Sequence, residues 1–233
     1  MANSKIEQGT PTMEQTLNKQ EAFFLKYKKA IVVAVVAVIV IIAGSIAYNT
    51  FYAGPREDKA ATAMAKAQEL FAAQQYELAL KGDKSFEGFL QVASNYSGTD
   101  AANLANLYAG LCYANLGKWA EAEKSLDAFS SKDDQMISPE AEAALGDVYA
   151  HLNQLDKAVE AFKKAASMAD SKAEDDTNNS LSPAFLIKAG EVLESQNKKQ
   201  DALNIYQDIK KKYVNSMLVQ SGEIDKYIER ASN

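Results

Sequence analysis

The stretch YAGLCYANLGKWAEAEKSL at residues 108–126 recurs as LGDVYAHLNQLDKAVEAFKKA at residues 145–165 and as KAGEVLESQNKKQDALNIY at residues 188–206. Each stretch has a glycine that is followed twelve positions later by an alanine: Gly110 and Ala122, Gly146 and Ala158, Gly190 and Ala202. Small residues at this spacing let two antiparallel helices approach closely. Each stretch therefore predicts a helical hairpin, and the repeat predicts a stack of hairpins.

Three further positions recur in the same register. They are a large residue (Tyr113, Tyr149, Leu193), a helix-ending residue (Gly117, Asn153, Asn197) and a second large residue (Leu126, Phe162, Tyr206). This pattern resembles the tetratricopeptide repeat (TPR) family over about residues 100–213. The third stretch departs from the family pattern at Leu193 and at Lys199, which stands where the first stretch has Trp119. The resemblance implies an all-α, TPR-type solenoid of helical hairpins.

The segments around the three stretches also predict helices. Residues 58–79 have apolar residues at the spacing of one long amphipathic helix, and with residues 86–96 they predict a degenerate TPR-like pair over residues 58–99. Residues 100–233 then hold repeats at about 104–136, 139–170 and 183–213, with a polar insertion at 167–182. Ser221 to Ala231 predicts a final capping helix.

An apolar segment near the N-terminus predicts a transmembrane helix over residues 30–48. Ala30 to Ala47 contains no charged residue, and at ~1.5 Å per residue these 18 positions span about 27 Å, close to the ~30 Å hydrocarbon core of a bilayer. Two alternatives are a buried core helix and a signal peptide cleaved after Ser45-Ile46-Ala47. The absence of a polar face disfavours the first, and the 29 preceding residues disfavour the second.

The flanking charges predict the orientation of this span. Lys26, Lys28 and Lys29 directly precede it, so the positive-inside rule places residues 1–29 in the cytoplasm and the large C-terminal part in the periplasm or outside. Residues 1–12 are expected to be disordered, and residues 13–27 form an amphipathic stretch that docks a cytosolic partner or lies on the membrane surface. Residues 49–57 form a juxtamembrane linker, in which Gly54-Pro55 is expected to break the helix.

The composition excludes several functions. The chain has 233 residues, one cysteine, one histidine and a formal net charge of -6, so it has neither the basic face of a nucleic-acid-binding protein nor the side chains for a metal site or Cys/His catalysis. Residues 1–30 carry five Lys and three Glu, a charge of +2, which leaves -8 for the remainder. We expect no catalytic residue, no metal, no cofactor and no small-molecule substrate, and therefore not an enzyme.

The TPR resemblance implies where partner proteins bind. In TPR arrays the first helices of successive repeats line a concave surface, which maps here to Leu104, Leu107, Leu111, Asn115, Asp147, His151, Ile187, Glu191 and Glu194. This set is apolar at one end and acidic at the other. It predicts a groove for apolar or basic peptide segments.

The whole layout also resembles the YfgM-like family of ancillary SecYEG translocon subunits. The resemblance lies in a short tail with Phe23-Phe24 and a lysine cluster, one span and an exported TPR domain. It implies a membrane-tethered adaptor of the cytoplasmic membrane that assists protein translocation or folding, with translocon subunits and periplasmic chaperones as partners. The alternative is a structural scaffold that organises or self-assembles an envelope complex, such as division or secretion machinery.

Overall fold

The computed structural model describes the backbone of residues 13–233 and the side chains of residues 21–233. The lead-in predicted for residues 1–12 lies outside the described residues. The chain divides into an N-terminal unit that ends at Pro55 and a repeat unit, Arg56–Asn233. The described residues form helices joined by turns and one isolated β-bridge between Gly82 and Glu87, which confirms the all-α fold.

The N-terminal unit contains one long helix, α1, over Met13–Tyr48. The helical segment Glu21–Ala72 includes an 18-residue window with a mean hydropathy of 3.1 and no buried residue. The described part of the chain thus contains one helix long and apolar enough to cross a membrane. α1 is unbroken from Met13 onward, so residues 13–27 continue directly into the apolar segment as one helix.

The helix break expected at Gly54-Pro55 is wrong, because the backbone stays helical at both residues. A single π-helical turn over Asn49–Ala53 follows α1, and the N–H of Gly54 donates to the carbonyl oxygen of Asn49. Pro55 has no N–H, and its ring would clash with the carbonyl oxygen four residues earlier in a regular α-helix. The wider π-helical turn accommodates the proline, and α2 begins at Gly54.

The repeat unit is a succession of short antiparallel helices. They are α2 (Gly54–Ala72), α3 (Tyr76–Lys81), α4 (Phe89–Asn95), α5 (Asp100–Asn115), α6 (Trp119–Asp127), α7 (Ile137–His151), α8 (Leu155–Asp170), α9 (Ser182–Ser195), α10 (Lys199–Lys212), α11 (Met217–Gln220) and α12 (Glu223–Ser232). The pairs α5–α6, α7–α8 and α9–α10 are the three hairpins of the sequence repeat.

A further hairpin, formed by α2 and α3, precedes these three and has the same turn. We call it the first hairpin. Gln74, Gly117, Asn153 and Asn197 all adopt positive φ angles, of 59°, 70°, 58° and 60°. After each, the next N–H donates to a carbonyl oxygen five residues back, as Gln75 does to Leu70 at 2.9 Å. The single helix expected over residues 58–79 is therefore wrong, because Gln74 ends it in the left-handed conformation.

The recurring small residues lie where two helices of a hairpin touch. A Cβ built on Gly110 would lie 2.6 Å from Cγ of Leu126, and one built on Gly146 would lie 2.8 Å from the Phe162 ring. Ala122, Ala158 and Ala202 are fully buried, as is Ala79 at the matching position of the first hairpin. The close approach predicted from the repeat is confirmed.

Specific contacts hold the first and last helices of the repeat unit in place. At the start, the Glu57 carboxylate accepts from the N–H groups of Asp100 and Ala101, both at 2.7 Å, and so caps α5. At the end, α12 buries Ile224 and Ala231 against the last hairpin. The contacts of α12 cover the apolar face of the last hairpin, whereas Glu57 joins α2 to the start of α5.

Candidate functional site

Four of the nine predicted partner-binding residues lie together around an open cavity between α5 and α7. Its volume is ≈ 440 Å³, and its lining includes Leu104, Leu107, Leu111 and Asp147. We call this cavity the groove. The side chains come from the first helices of two successive hairpins, because residues at i, i+3 and i+7 share one face of a helix.

The accessible wall of the groove is narrower than the sequence indicates. Leu107 is only 8% exposed and belongs to the core formed with Ala141 and Val148. Leu104 and Leu111 are half-buried and present apolar surface to the groove. A partner would therefore contact mainly these two leucines on α5.

Two residues that the sequence reasoning missed complete the apolar lining. Met136 and Ile137 lie at the start of α7, are 65% and 46% exposed, and line the groove. Met136 and Ile137 lie outside the positions that recur in the repeats, so the repeat pattern does not predict that they line the groove. The available signal was an apolar pair directly before the helix start Ser138-Pro139.

The remaining predicted residues lie elsewhere. Ile187 lines a second cavity, of ≈ 610 Å³, together with Met217 and Tyr227. Asn115 is exposed, and its side-chain amide donates to the carbonyl oxygen of Leu111 at 2.8 Å. Neither Ile187 nor Asn115 lines the groove.

The single histidine stacks on the single tryptophan of the chain. The rings of His151 and Trp119 are parallel within 5°, and their centroids are 3.7 Å apart. The stack joins the end of α7 to the start of α6. His151 thus contacts the neighbouring hairpin, and it does not line the groove.

The acidic residues predicted for the concave surface are paired with bases. Lys188 donates to both carboxylate oxygens of Asp147, at 3.0 and 2.7 Å. Arg230 of α12 lies 3.7 Å from Glu191 and 2.5 Å from Glu194. The hydrogen bond to Glu194 raises the pKa of Arg230. These ion pairs join residues that are 36 to 41 positions apart, so the local sequence pattern does not predict them.

The single cysteine and the single histidine both pack against other side chains of the repeat unit. Cys112 is fully buried, and burial raises the pKa of its thiol to about 12, which keeps it protonated and unreactive at neutral pH. Among residues 21–233, no group of three or more His, Cys, Asp or Glu side chains is arranged to hold a metal ion.

A stack of helical hairpins with an apolar groove between its first helices defines a helical-repeat protein of the protein-interaction class. The family model for the tetratricopeptide repeat-like domain matches residues 21–221, which is most of the chain. The chain therefore belongs to the tetratricopeptide repeat-like domain family, whose fold typically serves as a non-catalytic protein-interaction scaffold. A comparison with curated proteins gives no match.

Proposed function

We propose that this protein is a membrane-tethered TPR adaptor that binds protein partners in the cell envelope. The observation that carries the proposal is the groove, with Leu104, Leu111, Met136 and Ile137 as accessible apolar surface on a protein-interaction fold. An apolar groove between helices suits short segments of other proteins, whose apolar side chains enter it.

The N-terminal span would hold this domain at the membrane. Under the proposed orientation, Lys26, Lys28 and Lys29 stay in the cytoplasm and the repeat unit lies in the periplasm or outside. Tethering raises the local concentration of the groove near membrane-bound partners, so that modest affinities suffice. Placement near the Sec translocon, with translocon subunits and periplasmic chaperones as partners, rests on the resemblance to the YfgM-like family.

The orientation predicts a clear pattern of cysteine labelling. In intact spheroplasts, a membrane-impermeant maleimide is expected to label a Ser232→Cys variant and to leave a Ser4→Cys variant unlabelled. The unmodified chain is the control, because the buried thiol of Cys112 gives little background. Gel-shift after labelling measures the result. Labelling at residue 4, or loss of an N-terminal tag through cleavage, contradicts an uncleaved anchor with a cytoplasmic N-terminus.

The groove predicts which substitutions abolish partner capture. A Leu104→Ser plus Leu111→Asp variant is expected to lose at least about tenfold in recovered partner, because each half-buried leucine would contribute ~1.5 kcal/mol of apolar contact. Affinity purification from solubilised membranes with quantitative mass spectrometry measures the loss. Leu107 is left unchanged, since an aspartate at this buried position would disrupt the core.

A matched control for this experiment is Gln207→Asp. Gln207 is exposed on α10 and does not line the groove, so the same added charge should leave capture unchanged. Equal recovery by both variants contradicts the adaptor proposal. Recovery of translocon subunits and chaperones supports the Sec-associated role, whereas groove-dependent recovery of the chain itself favours the scaffold alternative.

A further inference from the structure

The four most exposed large apolar side chains of the repeat unit form two pairs. Met136 and Ile137 border the groove, and Val214 and Met217 lie near the C-terminus. An exposed Met-Ile pair beside a cavity that is already apolar enlarges one continuous apolar surface, which is typical of binding sites. We call residues 136 and 137 the lip.

The backbone of the lip is held in place before any partner binds. Oδ1 of Asp134 accepts from the N–H groups of Met136 and Ile137, at 2.9 and 2.6 Å. The buried Ser138 hydroxyl donates to Oδ2 of the same carboxylate at 2.6 Å. Because the lip is ordered in advance, binding to it loses less conformational entropy than binding to a loose loop.

Of the two carboxylates that line the groove, one has no basic partner in the described part of the chain. Asp147 is paired with Lys188 and Glu142 with Lys164, at 2.7 and 2.9 Å. Glu140 is exposed, lines the groove, and makes no ion pair with any lysine or arginine in the described part of the chain. A basic residue on a bound segment would find this carboxylate free.

We propose that the lip and Glu140 determine which segment the groove accepts: a large apolar side chain directly next to a basic residue. This inference rests on the proposed function of the groove. The lip contacts the apolar side chain, and Glu140 pairs with the neighbouring lysine or arginine. Leu104 and Leu111 on α5 form the opposite wall.

The test is fluorescence anisotropy with the full chain in lipid nanodiscs and three labelled nonapeptides. The first has a Leu-Leu-Phe centre flanked by lysines, the second has the same centre flanked by glutamates, and the third has three serines between lysines. We expect the first peptide to bind most tightly. A Met136→Ser plus Ile137→Ser variant should bind it at least about tenfold more weakly.

Two further variants make the test specific. Val214→Ser plus Met217→Ser removes an equally exposed apolar pair elsewhere and should bind like the unmodified chain. Glu140→Gln should reduce the preference for lysine over glutamate flanks by about fivefold and weaken its dependence on salt. Circular dichroism and thermal melts check that each variant folds.

The outcomes separate this inference from the proposed function. If the Leu104→Ser plus Leu111→Asp variant loses binding while the lip and Glu140 variants bind like the unmodified chain, the lip proposal is overturned and the groove proposal stands. If no peptide binds in a way that depends on Leu104 and Leu111, both proposals are overturned.

Discussion

Replacing Asp170 by alanine is expected to lower the free energy of unfolding by about 3 kcal/mol. Asp170 ends α8 and is 7% exposed. Its Oδ1 accepts from the Ser182 hydroxyl at 2.6 Å, and its Oδ2 accepts from the Tyr213 hydroxyl at 2.7 Å and from Lys212 at 2.6 Å. One carboxylate therefore links α8, α9 and the end of α10. Its loss leaves the buried Tyr213 hydroxyl without its partner and leaves the Ser182 hydroxyl with only the carbonyl oxygen of Ala166, at 3.0 Å.

Asp170 also makes the stability depend on pH. Burial alone would raise the pKa of its carboxyl group, but the hydrogen bonds from Lys212, Ser182 and Tyr213 outweigh burial and hold that pKa below its ordinary value of about 3.9. A lowered pKa in the folded state means that the stabilisation is complete above about pH 4 and is lost as the pH falls through the lowered pKa. An Asp170→Asn variant should show a smaller loss of stability over this acid range.

Denaturant unfolding of the repeat unit within the full chain, followed by circular dichroism from pH 3 to pH 7, measures both effects. The matched control is Asp175→Ala, because Asp175 is an exposed aspartate in the loop that follows α8. Equal unfolding free energies for the Asp170→Ala and Asp175→Ala variants would show that the Asp170 hydrogen bonds do not hold the last two hairpins together.

Replacing Gly190 by alanine is expected to destabilise the last hairpin by about 2 kcal/mol. The added Cβ would lie 2.5 Å from Cζ of Tyr206 and 2.7 Å from its hydroxyl oxygen. Tyr206 is fully buried, so its ring cannot move aside without displacing Tyr227 and the rest of α12. The free-energy cost of this clash is expected to exceed the stabilisation of about 1 kcal/mol that alanine usually gives when it replaces glycine within a helix.

A double-mutant cycle with Tyr206→Leu tests the cause. The combined variant should lose less stability than the sum of the two single variants, because leucine is shorter than tyrosine and leaves room for the new methyl group. Gly146→Ala is the control with a milder clash, since its added Cβ would come no closer than 2.8 Å to the Phe162 ring. If the losses in unfolding free energy of the two single variants simply add in the double variant, close packing of Gly190 against Tyr206 is contradicted.

The sequence predicted the parts of the fold that depend on local spacing. The glycine and alanine positions of the last three hairpins predicted their packing, because the same contact recurs in each. The first hairpin was harder to recognise, since its turn residue is Gln74 and an insertion separates α3 from α4. Ala67 and Ala79 carried the same spacing around Gln74 and could have revealed the register.

The candidate site depends more on contacts between distant residues, which the sequence could not supply. Its leucines were predicted from the TPR resemblance, which places them on the first helix of a hairpin. The pairing of Glu194 with Arg230 depends on how α12 folds back on the last hairpin, and the pairing of Asp147 with Lys188 joins residues 41 positions apart. The acidic residues predicted for one end of the concave surface are therefore paired with lysine or arginine in the structure.

Photo-cross-linking in intact cells tests the central claim, that the groove holds segments of other envelope proteins, most directly. A photoreactive phenylalanine analogue is placed at position 111, on the wall of the groove, and in a matched variant at position 207, on the exposed face of α10. We predict protein adducts from position 111 that position 207 does not give. Identical adducts from both positions, or none from position 111, would contradict the account.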